Sequence, residues 1–339
     1  MSDNLLEVSG LITSFKTDSG WVRAVDEVSF SIPRGKTVGL VGESGCGKTV
    51  TAMSIVQLLP QPAGVVLAGE IRFKGEDLRT VSRQRIHEVR GGEIGVIFQE
   101  PMSALNPVHR VGQQIVEGLR LHKGLGTKEG LKEAFNLLEM VGIPAPERRL
   151  MDYPHQLSGG MRQRVMIAIA IACRPSLLIS DEPTTALDVT VQAQILELIG
   201  RMQSEFGMSQ LLITHGLGVI AENCDEVVVM YAGRVVERAP VRELFANPRH
   251  AYTKGLLSSI PRLENEPKSE LPTIPGQVAS IRDFVQGCRF CQRMERVGET
   301  LKDRPPYVEI SPGHWVEACE ICSQQSAVSS QRVDGSPAD

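Results

Sequence analysis

Eight consecutive residues, Gly42-Glu43-Ser44-Gly45-Cys46-Gly47-Lys48-Thr49, follow the pattern G-x-x-x-x-G-K-[ST]. Glycines at this spacing let successive backbone N–H groups turn inward around phosphate oxygens, and a helix starting at Lys48 adds the positive end of its dipole. Gly42, Ser44, Gly45, Cys46 and Gly47 therefore read as a phosphate cradle. Lys48 is expected to reach the β- and γ-phosphates, and the Thr49 hydroxyl to ligate Mg²⁺. Cys46 needs no redox role here; a small side chain suffices. A second group of residues suits the same chemistry. Asp181-Glu182 ends the apolar run 177–180, where two adjacent carboxylates are poorly placed unless something uses them. Asp181 suits Mg²⁺, directly or through water, and Glu182 suits the water that attacks the γ-phosphate, as general base or orienting group. Gln99 follows the strand-like run 94–98 and His215 follows 211–214. In a parallel sheet such strand-end polar residues lie at the ligand edge. Gln99 joins Thr49 and Asp181 as a candidate Mg²⁺ contact.

Leu157-Ser158-Gly159-Gly160-Met161-Arg162-Gln163-Arg164 immediately precedes another helical stretch, so Ser158 and the glycines form a second anion-receptive helix start. Two phosphate-binding elements but one lysine-bearing loop suggest a composite site shared between two chains. A third group of residues lies near the C-terminus. Four of the seven cysteines form the pairs Cys288-x-x-Cys291 and Cys319-x-x-Cys322, with 27 residues between the pairs. Paired thiolates on tight turns can converge on one metal centre, and in a reducing compartment they read as ligands before disulfides. Reduced, unliganded cysteines are the alternative. The paired spacing taken alone favours zinc.

The elements that must position these residues are legible in outline. Residues 1 to about 75 read as short strands and turns framing one helix, 48–59, stopped by Pro60. Val38 to Val41 is an apolar strand running into the glycines. The block 100–157 reads as helical, broken by Pro107, Pro144 and Pro146, and 161–173 as a helix ended by Arg174-Pro175. The runs 177–180 and 211–214 read as buried strands. Strands alternating with helices predict a parallel α/β core with 100–157 as a helical insertion. The pattern changes near Asn247-Pro248. The stretch 261–286, rich in Pro and charge, reads as a linker into a small C-terminal module, and residues 323–339 as a disordered tail.

Composition narrows the classes. Lys and Arg total 36 against 40 Asp and Glu, a net charge of −4, and aromatics are 4% of 339 residues. That argues against a nucleic-acid partner. No apolar run approaches the ~20 residues a membrane-spanning helix needs, and the N-terminus lacks the pattern of a signal peptide. The expected place is the cytosol or the cytoplasmic face of a membrane.

In order, the chain carries the phosphate loop, Gln99, the Ser158-Gly159-Gly160 run, Leu178-Ile179-Ser180-Asp181-Glu182-Pro183, Ala186-Leu187-Asp188 and His215. This order resembles a complete ATP-binding cassette over roughly residues 5–245. The resemblance implies a P-loop NTPase fold, an α/β cassette with a RecA-like parallel-sheet core, an antiparallel β subdomain and a helical signature subdomain. It also implies roles. Phe15 stacks on adenine, with Trp21, in an expected loop, as the second candidate. Gln99 contacts Mg²⁺ or the attacking water. Ser158, Gly159 and Gly160, with Gln163 in the same signature, close on nucleotide held by an opposite subunit, Asp188 lies at the dimer seam, and His215 meets the γ-phosphate.

A narrower likeness is to the ATPase subunits of dipeptide, oligopeptide and nickel importers. It rests on the runs 98–107, 153–161 and 186–194 and on Asn247-Pro248-Arg249-His250-Ala251-Tyr252-Thr253. It implies domains at 1–245 (cassette) and 246–322 (importer-type extension with the four-cysteine site). It further implies hydrolysis of ATP coupled to import of peptides or a related small solute, at the cytoplasmic face of the membrane as a peripheral subunit. The partners it implies are two transmembrane permease subunits, a second and non-identical ATP-binding subunit, and an extracytoplasmic solute-binding protein. A soluble cassette acting on nucleic acid or translation is the rival reading. Similar importer ATPases carry a [4Fe–4S] cluster near a stretch like Pro312-Gly313-His314, so the resemblance favours iron–sulfur over zinc. Two departures stand out: the middle family cysteines are absent near Met294 and Leu301, and Gly216 stands where the family usually has Asp. Activity is expected to persist there, with a looser backbone.

Overall fold

The computed structural model describes residues 3–18, 20–100, 104–185, 187–260, 272–296 and 298–324. The expected tail beyond residue 324, residues 261–271 of the expected linker 261–286, and Pro101 to Ser103 lie outside the described residues.

Two sheets organise the chain. A four-stranded antiparallel sheet has the order β2-β1-β4-β5, from β1 (Asn4–Thr17), β2 (Gly20–Pro33), β4 (Gly64–Phe73) and β5 (Glu76–Asp77). The short strands expected here are instead two of 14 residues, and Trp21 lies in β2 rather than in a loop. Gly10 sits inside β1 at a register shift, with φ 57°, as a bulge that bends the strand. Gly69 of β4 packs on it, and a Cβ there would lie 2.5 Å from the Gly10 carbonyl oxygen.

The larger sheet has eight strands in the order β11-β12-β10-β9-β3-β8-β7-β6. Five of them run parallel: β6 (Ile94–Ile97), β7 (Leu177–Asp181), β8 (Ser209–Thr214), β3 (Thr37–Val41) and β9 (Glu226–Tyr231). β3, β7 and β8 are buried along their whole lengths, the pattern of strands covered on both faces. The helix Lys48–Ile55 ends four residues before the expected 59, at a turn where Gln57 has φ 53°. The insertion between β6 and β7 is helical as expected, with helices Val111–Lys123, Thr127–Met140 and Gly159–Ile171. They share a core with the helix Val189–Phe206.

The C-terminal strands were not foreseen. β10 (Arg234–Pro240) turns back antiparallel on β9, and β12 (His314–Glu317) pairs with β10 and with β11 (Tyr307–Ser311). The extension thus continues the central sheet. A third core holds Tyr231 and Val236 of the sheet together with Tyr252, Phe290 and the four cysteines.

Candidate active site

The phosphate loop springs from the C-terminal end of β3. Gly42 has φ 154°, and a Cβ there would fall 2.2 Å from the Met230 carbonyl oxygen of β9. Gly47, at φ 103°, caps the helix Lys48–Ile55, and its Cβ would meet the Ala24 carbonyl oxygen at 2.8 Å. These two glycines are required by the chain's own packing. Gly45 differs: its φ is 80°, yet nothing lies within 4 Å of where a Cβ would be. Ser44, Gly45 and Thr49 are exposed on this open side. Lys48 is buried, its Nζ donating to the Gly42 and Glu43 carbonyls at 2.8 and 3.1 Å. Burial pushes the Cys46 thiol up, so it stays protonated and inert.

The acidic pair ends β7 beside the loop. Asp181 is buried, and its Oδ1 has no hydrogen-bond partner among the described residues. Burial raises its pKa, the Thr49 hydroxyl draws it down, the Glu182 charge raises it and Lys48 lowers it; the net shift is upward. An orphaned carboxylate oxygen next to a threonine hydroxyl is a donor set that fits a hard divalent cation such as Mg²⁺. Glu182 has φ 46°, uncommon for a residue with a side chain and a strained setting often found at functional sites. Gln99 Nε2 and Thr185 Oγ1 donate to its Oε2 at 3.1 and 2.9 Å, and His215 Nδ1 lies 3.4 Å from its Oε1. The strand ends expected to share a ligand edge therefore meet on one carboxylate. Thr185 was missed; it carries no signal beyond its place after the pair.

The signature residues divide by role. Ser158 accepts from the Met161 N–H at 3.3 Å and Asp188 from the Val191 N–H at 3.0 Å, each capping its helix. Gly160 packs near Val191, whereas a Cβ on Gly159 would meet nothing within 4 Å. Gln163 is buried and donates to the Pro183 carbonyl at 2.5 Å, joining the signature helix to the segment after Glu182. Phe15 is half-buried beside Gly64, and Trp21 is exposed. Gly216 has an ordinary φ of −87°, and a Cβ there would make only contacts of 3.5 Å or more. Its backbone needs no glycine.

The four cysteines converge. Their sulfurs all lie within 4.8 Å of one another and all four residues are buried, with Sγ–Sγ separations of 3.6 Å for Cys288–Cys322 and Cys291–Cys319 and 3.3 Å for Cys291–Cys322. Cys288 also caps the helix Arg289–Arg293, accepting from the Cys291 N–H at 3.4 Å.

A phosphate loop, an acidic strand end and a separate signature helix, arranged on a parallel sheet with an antiparallel sheet beside it, define an ATPase of the ATP-binding cassette class. Residues 25–185 match the family model "ABC transporter", and residues 236–299 match "Oligopeptide/dipeptide transporter, C-terminal region". The chain is 53% identical to a peptide import ATP-binding protein of Brucella melitensis over 91% of this chain and 92% of that one. It is 49% identical to the peptide ABC transporter ATP-binding protein y4tR of Sinorhizobium fredii, over 92% and 94%. Among solved structures, the dimeric ATP-binding cassette MJ0796 in a post-hydrolysis state with ADP and Pi matches with TM-score 0.63 and 26% identity, covering 70% of this chain and 99% of that one. CbiO1 of Clostridium perfringens matches with TM-score 0.61 and 30% identity, over 73% and 92%. The chain belongs to the ATP-binding proteins of ABC transporters, and it hydrolyses ATP.

Proposed function

We propose that this chain is the ATPase of a peptide importer. It acts from the cytoplasmic face of the membrane on two permease subunits, beside a second, related ATP-binding subunit and downstream of a solute-binding protein. The observation carrying the solute class is the match of 236–299 to an oligopeptide/dipeptide transporter region, together with relatives named for peptide import over most of the chain. Among the described residues no helix is long and apolar enough to cross a membrane, which suits a peripheral subunit.

The loop N–H groups and Lys48 bind the phosphates of ATP, and Phe15 stacks on its base. Thr49 and Asp181 hold Mg²⁺, which offsets phosphate charge when bound. Glu182 orients the attacking water and takes its proton. Gln99, Thr185 and His215 hold that carboxylate in place, and Gln99 carries the state of the site outward to the permease. Ser158 and Gly159 face the γ-phosphate of the partner ATPase. The test is reconstitution with the neighbouring subunits in liposomes. Peptide-loaded binding protein should stimulate ATP turnover; turnover indifferent to every peptide tested would remove the solute class.

The four cysteines hold one tetrahedral ion, zinc. With Zn–S bonds of about 2.3 Å the edge of such a tetrahedron is about 3.8 Å; three sulfur pairs lie at 3.3–3.6 Å and all four sulfurs within 4.8 Å of one another. A [4Fe–4S] cluster seats each thiolate on a different iron, and so needs the sulfurs farther apart than these. Metal analysis should find one zinc per chain. Stoichiometric iron with acid-labile sulfide would return the site to the cluster reading.

A further inference from the structure

The short helix that carries Cys291, and is capped by Cys288, also carries two arginines that reach the phosphate loop and its footing. Arg293 is buried and donates Nη1 to Glu43 Oε2 at 2.7 Å, while its Nε and Nη2 go to the Pro275 and Ile274 carbonyls at 2.9 and 3.1 Å. The guanidinium is thus fixed on three sides. Glu43, the second residue of the loop, is held at a second point, since its N–H donates to the Tyr252 hydroxyl at 2.9 Å. Tyr252 is fully buried, its ring 6.0 Å from that of Phe290, which lies between the two cysteines in sequence. At the other end of the helix, Arg289 Nη1 donates to the Ala232 carbonyl at 2.5 Å. The next residue, Gly233, donates its N–H to the Cys46 carbonyl at 3.0 Å. The loop is therefore gripped near both ends. Tyr252, Arg289 and Arg293 all lie within 236–299, the extension's family match, and outside the cassette match at 25–185.

The helix Arg289–Arg293 has five residues, far too few to be stable unaided. Its fixed points are Cys288, Cys291 and the side chains just named. Whatever holds the two cysteines holds Arg293 against Glu43. We propose that metal occupancy at the four cysteines sets the affinity of the phosphate loop for nucleotide through this helix, with Arg293 as the positioning residue. The proposal rests on the readings above of the loop as a nucleotide site and the cysteines as a zinc site. Linkage is reciprocal: if metal tightens nucleotide binding by some factor, nucleotide tightens metal binding by the same factor. A merely structural metal site predicts no such dependence.

The test uses the full chain purified with its metal. Zinc release is titrated with a zinc-selective chelator in excess Mg²⁺, with and without a non-hydrolysable ATP analogue. In the native protein the analogue should raise the chelator concentration for half release by about fivefold or more, the lower range of allosteric couplings. Arg293→Gln should still bind zinc and the analogue, yet release zinc at the same chelator concentration with or without it. Arg293→Lys, keeping the charge without the fork, should restore part of the shift. Glu43→Gln removes the charge on the other side of the contact from a partly exposed position, and should abolish the shift even if Arg293→Gln fails to fold. Native protein that binds zinc and the analogue without any shift overturns this proposal alone, and so does a full shift in Glu43→Gln or Arg293→Gln. Absence of zinc, or of analogue binding, removes the corresponding reading above and this proposal with it.

Discussion

Glu182 shows how much of this site is decided around a single carboxylate. Its backbone is left-handed, and its oxygens are approached by Gln99, Thr185 and His215, so in the proposed role replacing it would remove a positioned proton acceptor rather than a bulk charge. Glu182→Gln should lower ATP turnover about 10²- to 10⁴-fold, while fluorescent-nucleotide titration shows binding retained. Turnover at the native rate would end its assignment as the base. Asp181 makes a different prediction. Burial, the largest influence, pushes its pKa up, and in the proposed role Mg²⁺ would compete with the proton for the same oxygens. Affinity for Mg²⁺–nucleotide should therefore weaken as pH falls through that raised value. Asp181→Asn should bind weakly throughout, with the pH dependence flattened, as calorimetry across a pH series can measure.

Among the elements, the joint between β2, β10 and the cysteine helix depends on Asp26. This buried carboxylate accepts from Arg234 Nε at 2.9 Å and from Arg289 Nη2 at 2.7 Å. Burial raises its pKa, but the Arg289 and Arg234 guanidiniums more than offset that and hold it below the ordinary 3.8. Its stabilising contribution is thus complete above that ordinary value and lost as pH falls below it. Asp26→Ala removes the carboxylate shared by two buried cations, leaving Arg234 the longer ionic contact to Glu317 at 4.0 Å, and should cost about 3–5 kcal/mol, read as a lowered denaturant midpoint. A change under 1 kcal/mol would show that the joint is held elsewhere. β10 carries a second such residue. Glu237, fully buried, accepts from the Arg249 and His250 N–H groups at 2.7 and 2.9 Å and lies 2.8 Å from His314 Nε2. The Asn-Pro-Arg-His and Pro-Gly-His stretches that stood out in the sequence thus meet on one carboxylate.

For the whole molecule, the telling residue is Gly159. The chain's own packing leaves open space where its Cβ would be, so the fold makes no demand for glycine there. Gly159→Asp should leave the melting transition nearly unchanged, within the roughly ±0.5 kcal/mol usual for surface substitutions, and leave nucleotide binding at the loop intact. In the assembled transporter it should abolish turnover, by setting a negative charge against the partner's nucleotide. Retained turnover in that assembly would contradict a composite site. The same scale separates what was legible from what was not. Strand, loop and acid pair were readable because each is a short local pattern of glycine, lysine or carboxylate at the end of an apolar run. The 14-residue strands were not, because Gly10 signals a turn locally and acts as a bulge only once β4 lies across it.

The sequence by itself determined the chemistry: a phosphate loop whose glycines and lysine must be contiguous, carboxylates at a strand end, and a capped signature helix. Each of these works through the backbone of a few neighbouring residues, so adjacency in the chain is adjacency in space. It also marked the cysteines as candidate ligands, through their paired spacing. Only the tertiary structure decided that β10 and β12 would continue the central sheet, and that Arg293 and Tyr252 would hold Glu43 from 250 and 209 residues away. Nothing in the local pattern at either end, the phosphate loop and the run 247–253 included, points to the other. The contacts exist because the third core packs the helices Ala251–Ser258 and Arg289–Arg293 on β9 and β10, beside the end of β3 from which the loop springs, and a pairing set by packing across such distances leaves no local trace in the order of residues.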